Sequence, residues 1–173
     1  MNQEYGFTFD PDRCIQCHAC EAACKSWCGT EQGIRWRWVT AIWSGIFPQV
    51  SLTSISMACQ HCVDPECVKA CPEAAISKRE ADGAVLVDSE LCSGCQACLD
   101  ACPFDVPCFG DDGLMQKCDL CRSGPGEPIM PPACTATCPT GALQVSLKPI
   151  PDKQQEETRL QAQLKHVGKA LAS

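Results

Sequence analysis

Sixteen of the cysteines in this 173-residue chain fall into four groups of four. The groups are Cys14, Cys17, Cys20 and Cys24; Cys59, Cys62, Cys67 and Cys71; Cys92, Cys95, Cys98 and Cys102; and Cys118, Cys121, Cys134 and Cys138. The first and third read C-x2-C-x2-C-x3-C, the second widens one gap to four residues, and the fourth widens it to twelve. Every group ends in x3-C, and Pro72, Pro103 and Pro139 follow three of these final cysteines; Lys25 follows the other. Thiols so spaced could form disulfides, hold zinc or bind iron–sulfur clusters. Disulfides need an oxidising compartment, no secretory signal or twin-arginine pair is visible, and three cysteines within seven residues pair poorly. Zinc sites usually join two separate pairs and do not require a fourth cysteine one helical turn later. The run C-x2-C-x2-C-x3-C-P is the known bacterial ferredoxin pattern. Its short loops let three thiolates wrap one cubane, while the fourth, turned away along the next helix, serves the other cluster of a pair.

The elements that must position these thiols are short. Each x3 gap reads as a helix, over residues 19–26, 65–70, 97–101 and 135–138, and each Cys-Pro turns the chain afterwards. Asp64 is placed as the N-cap of the second, with Pro65 at its first position. Residues 76–88 read as strand, Asp82-Gly83 turn, strand. The second and third groups thus make one ferredoxin-like module over residues 56–110, and the first and fourth groups pair around it.

Composition agrees. With 18 Cys but only five Phe, four Trp and one Tyr, metal or disulfide must supply part of the stabilisation. The formal charge of -7 argues against nucleic acid. No apolar run approaches the roughly 20 residues of a membrane span. Trp36, Trp38 and Trp43, interleaved with Arg35 and Arg37, suggest a strand with tryptophans on one face, packed in the core or on a partner rather than in cation–π contacts. Cys28 and Cys108 read as buried thiols, and His18 and His61 as packing or surface residues. Lys25 reads as a surface lysine. Lys117 is either solvated or placed to tune a cluster. The gap over residues 122–133 is a Pro/Gly-rich stiff loop. Residues 152–173 read as an amphipathic helix with Leu160, Leu164, Val167 and Leu171 on one stripe, packing on its own domain or clamping a partner. No Ser/His/Asp set, carboxylate pair or phosphate loop is present, so the chain is expected to have no catalytic site of its own.

The chain resembles the four-cluster iron–sulfur (beta) subunits of the dimethyl sulfoxide reductase family of molybdenum or tungsten enzymes. The resemblance spans roughly residues 4–146. It rests on Tyr5-Gly6-Phe7 before Asp10 and Arg13-Cys14; Cys59-Gln60-His61-Cys62 with Asp64-Pro65 and Cys67; Lys78-Arg79 with Asp82-Gly83; Cys102-Pro103-Phe104; and Lys117-Cys118-Asp119-Leu120-Cys121. The long insertions and C-terminal membrane helix of some members are missing.

The resemblance implies four 4Fe–4S clusters, held by Cys14, Cys17, Cys20 and Cys138; by Cys24, Cys118, Cys121 and Cys134; by Cys59, Cys62, Cys67 and Cys102; and by Cys71, Cys92, Cys95 and Cys98. Sixteen thiolates on four oxidised cores of charge +2 would take the holoprotein to about -15. The implied role is an electron wire, with the Cys14 cluster nearest a molybdopterin catalytic subunit and the Cys71 cluster farthest from it. A membrane anchor or further electron carrier is a possible additional partner. The expected fold is α+β: two pseudo-symmetric dicluster ferredoxin-like modules, the outer of residues 1–55 and 111–150, the central of 56–110 inserted in it, and a C-terminal helix over 151–173. The alternative is a free-standing polyferredoxin shuttle, monomeric and evenly acidic; a subunit should instead expose an apolar face, at residues 36–47 or on the last helix. The location is expected to be cytoplasmic, or exported as a complex with a signal-bearing partner.

Overall fold

A computed structural model describes residues 4–123 and 130–148. Four two-stranded antiparallel sheets and four short helices make up the described residues. Strand β1 (Tyr5–Phe9) pairs with β8 (Leu143–Leu147), Tyr5 opposite Leu147 and Phe9 opposite Leu143. The first and last described strands therefore lie side by side. Between them run β2 (Arg37–Ile46) with β3 (Gln49–Ala58), β4 (Ile76–Lys78) with β5 (Val85–Val87), and β6 (Cys108–Phe109) with β7 (Met115–Gln116). Helices α1 (Ala19–Cys28) and α4 (Ala133–Ala136) pack together, as do α2 (Glu66–Ala70) and α3 (Ala97–Asp100).

The helices begin and end for local reasons. Gly29, left-handed at φ +61°, stops α1 after Cys28, one turn beyond Cys24. Pro65 itself caps α2, and no side chain bonds there; the expected Asp64 N-cap is corrected, because its carboxylate pairs with Lys69 at 2.8 Å. Helix α4 starts two residues earlier than the spacing suggested, straight after Pro132, whose carbonyl also accepts from the Thr135 hydroxyl at 2.9 Å. The expected strand–turn–strand over 76–88 forms, with Gly83 at φ +71°, a turn conformation that favours glycine.

The tryptophans do not share a face. Trp36 precedes β2, and Trp38 and Trp43, an odd spacing apart, point to opposite sides of it. The predicted C-terminal helix over 151–173 lies outside the described residues.

Thiols are built into the core. One buried cluster joins Phe7, Met57, Ala58, Phe104, Val106, Leu120 and Leu143 with Cys20, Cys59, Cys118 and Cys134. A second joins Ile76, Val85 and Met115 with Cys98 and, at its edge, Cys67, Cys71 and Cys92. Ion pairs tie the pieces together: Lys78 to Glu4 at 2.6 Å, and Arg122 to Asp82 at 2.5 Å. No helix among the described residues is long and apolar enough to cross a membrane.

Candidate metal centres

The four cysteine groups share one backbone geometry. The residue before the second cysteine is left-handed in each: Gln16 at φ +55°, His61 at +47°, Gly94 at +70° and Leu120 at +60°. In the two groups with the tight x2-x2 spacing, a residue inside the second gap is left-handed too, His18 at +57° and Gln96 at +65°. Positive φ is uncommon outside glycine, so this recurrence reflects a shared requirement. Such alternation turns successive N–H groups into one concavity, the backbone arrangement that receives anions and many Fe–S sites. At one loop a contact is already made, the His61 N–H donating to Cys59 Sγ at 3.5 Å. At Gly94 a side chain would also collide, since a Cβ there would sit 2.6 Å from the Gly113 carbonyl oxygen.

The thiols gather across groups. Cys71 of the second group and Cys92, Cys95 and Cys98 of the third line one small cavity with Ile76, Phe109 and Met115. Burial pushes the Cys98 thiol up, and the other three add to the shift. Cys67 is pushed up to about 11 by burial, with Cys59 and Cys102 acting on it. Cys62 packs beside these thiols at the edge of the main core.

Cys24 of α1 lies among Cys118, Cys121 and Cys134, all four buried. Burial drives Cys118 well above the usual thiol range and Cys134 up to about 11. Cys28 lies beside both Cys24 and Cys121, and its thiol lowers each, Cys121 to about 7. The remaining set is the most open. Cys17 is exposed, Cys14 and Cys138 are half-buried, and Cys20 is buried 3.6 Å from the Ser56 hydroxyl. The packing of α4 on α1 and the pairing of β8 with β1 carry Cys138 toward this loop. Burial raises the Cys138 thiol, but the Leu143, Thr140 and Ala142 backbone groups and the Thr140 hydroxyl outweigh it, leaving it lowered.

Two buried cations lie among these thiols. Arg37 is 2% exposed; its Nη1 donates to Ser56 Oγ at 3.1 Å, while among the described residues Nε and Nη2 have no hydrogen-bond partner. Lys117 is 3% exposed and donates to the Val85 and Cys118 carbonyls. Among the described residues neither forms an ion pair with a carboxylate. A buried cation without a counter-charge is costly, and anionic thiolate-bound clusters supply that charge. The donor set, the inward N–H groups and the orphaned cations all fit 4Fe–4S clusters.

The remaining sequence candidates are structural. His61 is fully buried; its Nδ1 accepts from the Val85 N–H at 3.0 Å, and burial with nearby Lys117 keeps it neutral. His18 pairs with Glu21 at 3.3 Å. Cys108 donates to the Gln116 carbonyl at 3.1 Å, and burial pushes it up to about 11. Lys25 is exposed and ties down the Glu31 and Ile34 carbonyls at 2.5 and 3.1 Å.

A family profile described as "4Fe-4S dicluster domain" matches residues 50–148, and a "4Fe-4S binding domain" matches residues 7–26. The chain is 39% identical over 171 residues to a "Probable anaerobic dimethyl sulfoxide reductase chain YnfG" of Escherichia coli K12, covering 94% of this chain and 82% of that one. It belongs to the iron–sulfur subunits of the dimethyl sulfoxide reductase family. Other relatives agree. The B polypeptide of the anaerobic dimethyl sulfoxide reductase of Haemophilus influenzae is 40% identical over 82% of this chain and 73% of its own length. The "Formate dehydrogenase iron-sulfur subunit" of Wolinella succinogenes is 38% identical over 79% and 78%. This iron–sulfur subunit is accordingly a mixed helix-and-strand protein with ferredoxin-type 4Fe–4S domains, one of them a dicluster domain, and 4Fe–4S cofactors. It transfers electrons within an oxidoreductase complex and is not the catalytic chain.

The spacing of the cysteines did not point to Arg37 or to the thiol of Cys28 as parts of the site. The one available signal for Arg37 was its position at the head of a long uncharged stretch.

Proposed function

We propose that this subunit relays electrons to or from a molybdopterin catalytic subunit through four 4Fe–4S clusters. The ligand sets are Cys14, Cys17, Cys20 and Cys138; Cys24, Cys118, Cys121 and Cys134; Cys59, Cys62, Cys67 and Cys102; and Cys71, Cys92, Cys95 and Cys98. The clusters supply one-electron transfer without atom transfer. The residues of this chain bind them, leave the Cys17 and Cys95 edges the most open to solvent, and set the local charge through Arg37 and Lys117.

The observation that carries the reading is the cavity that joins Cys71 to Cys92, Cys95 and Cys98. It draws one thiol from one group and three from the next, as exchange between paired clusters requires. The pairing of β1 with β8 and of α1 with α4, against that of α2 with α3, favours a pseudo-symmetric arrangement. In it an outer module of residues 1–55 and 111–150 encloses a central one of 56–110. The Cys14 loop then faces the catalytic subunit, and the Cys71 set lies at the far end, open to a further carrier or a membrane anchor. The assembly is cytoplasmic, or exported with a signal-bearing partner.

Anaerobic purification of the native complex tests this. About 16 iron and 16 sulfide per chain are expected, together with a co-purifying polypeptide containing molybdenum or tungsten. A folded zinc protein, or a monomer without such a partner, overturns the reading.

A further inference from the structure

The β2–β3 hairpin is ten residues long on each side, and among the described residues nothing packs against either face of its far half. Residues 44–46 and 49–52 are exposed on both sides of the ribbon. Ile46 is 85% exposed, Phe47 87% and Trp43 63%, with Val50 and Leu52 also exposed. From Trp38 to Ala58 there is no Asp, Glu, Lys or Arg. A two-stranded ribbon is at best marginally stable alone in water. Exposed edges are normally protected by charged residues, above all lysine. Charge depletion with aromatic enrichment is instead the composition of an interface core.

The register says where that interface leads. Trp43 lies opposite Leu52, and Gly45 opposite Val50. Alternate residues share a face, so Ser54 and Ser56 lie on the same face as Val50, Leu52 and Trp43. Ser54 Oγ accepts from Gln16 Nε2 at 2.7 Å, inside the Cys14–Cys17 loop. Ser56 Oγ lies 3.6 Å from Cys20 Sγ. One face therefore runs from the ligand loop to the tip, about 17 Å beyond Ser54 at roughly 3.3 Å per residue. In that same loop Ile15 is 63% exposed and Cys17 is open to solvent.

We propose that the distal β2–β3 hairpin and the Ile15–Cys17 loop form one docking surface, and that the catalytic subunit covers it with a cleft that receives the hairpin. This rests on the functional reading above. A chain that exchanges electrons through the open Cys17 edge must sit over that loop, and a chain seated there meets Trp43, Val50 and Leu52 on the same face. A membrane is disfavoured as the occupant: anionic headgroups recruit Lys and Arg, and this segment has none. A second copy would set two Cys17 loops together with no catalytic centre between them.

The test uses the intact native complex with a photo-crosslinking amino acid in place of Phe47. Adducts mapping to the molybdenum- or tungsten-containing subunit are expected. Adducts only to a second copy of this chain, or only to lipid, overturn the proposal. In parallel, the double variant Ile46→Glu with Phe47→Glu should retain the wild-type iron content and lose at least tenfold of the co-purifying catalytic subunit. Undiminished co-purification, or loss of iron, overturns it. If no molybdenum or tungsten polypeptide accompanies the unsubstituted chain, the functional reading fails and the proposed occupant with it. If that polypeptide is present but makes no adduct, the docking surface alone fails.

Discussion

The guanidinium carbon of Arg37 lies 4.4 Å from the centroid of the Phe7 ring. The ring belongs to β1 and the cation to the first position of β2, so this contact fixes the long hairpin to the strand that pairs with β8. It also closes one side of a charge that otherwise meets the Ser56 hydroxyl and acts on several thiols. Arg37 acts on Cys20, Cys24, Cys118, Cys121 and Cys134, favouring the thiolate at each.

Replacing this cation should make the nearby clusters harder to reduce, because reduction adds negative charge beside it. Arg37→Gln is expected to lower the potentials of two clusters, each by about 60 mV, a tenfold change in a one-electron equilibrium. Arg37→Lys should recover most of the shift. Potentiometric titration followed by electron paramagnetic resonance measures both; four unchanged potentials would show that the charge is screened.

Ligand exchange between helices gives a positional outcome. Cys24→Ser should alter the cluster held by Cys118, Cys121 and Cys134, and leave the one held by its sequence neighbours Cys14, Cys17 and Cys20 intact. An anaerobic structure of the variant identifies the damaged cubane. Damage at the Cys14 loop would refute the exchange.

On the proposed ligand sets Cys28 lies beside two ligands, Cys24 and Cys121, without being one itself. Cys28→Ala should therefore keep about 16 iron per chain, while Cys24→Ser and Cys121→Ser should not. Iron and acid-labile sulfide assays on the three variants decide this. A loss of iron in Cys28→Ala equal to that in the other two would make Cys28 a ligand.

Asp82 gives a pH dependence with a definite sign. Arg79 beside it holds its carboxyl below the usual range, the Ala84 N–H and Arg122 assist, and burial opposes them. Its stabilisation is thus full above the unfolded value near 4 and is lost as pH falls toward the lower folded value. Asp82→Asn should cost about 2 kcal/mol at pH 7. The gap from the native chain should narrow below about pH 4. Anaerobic denaturant unfolding at several pH values measures it, and a gap that widens on acidification would contradict the assignment.

The thiol groups and the 76–88 hairpin were legible because both depend on local spacing. C-x2-C loops and Asp-Gly turns carry their geometry in a few adjacent residues. What escaped depends on tertiary burial. Arginine is ordinarily exposed, and the tryptophans beside Arg37 read as packing residues rather than ring partners; the ring that meets Arg37 is Phe7, thirty positions away in sequence. Lys117 was open between solvent and core; the Val85 carbonyl against its ammonium places it in the core. The far strand of the long hairpin was missed because residues 49–58 have no aromatic residue and no charge to mark an alternating face. Helix α4 was displaced because the x3 spacing marks where cysteines fall and Pro132 decides where the helix starts.

Helices α2, α3 and α4 are only five, four and four residues long, and no sheet among the described residues exceeds two strands. Helices this short do not persist alone in water, nor do lone hairpins. Loading of iron and sulfide is then the folding reaction itself. Until it occurs, a chain of 18 thiols is open to oxidation and to proteases. The amount of mature subunit in a cell should accordingly follow iron supply more closely than transcription, because starvation leaves the chain unfolded and degradable.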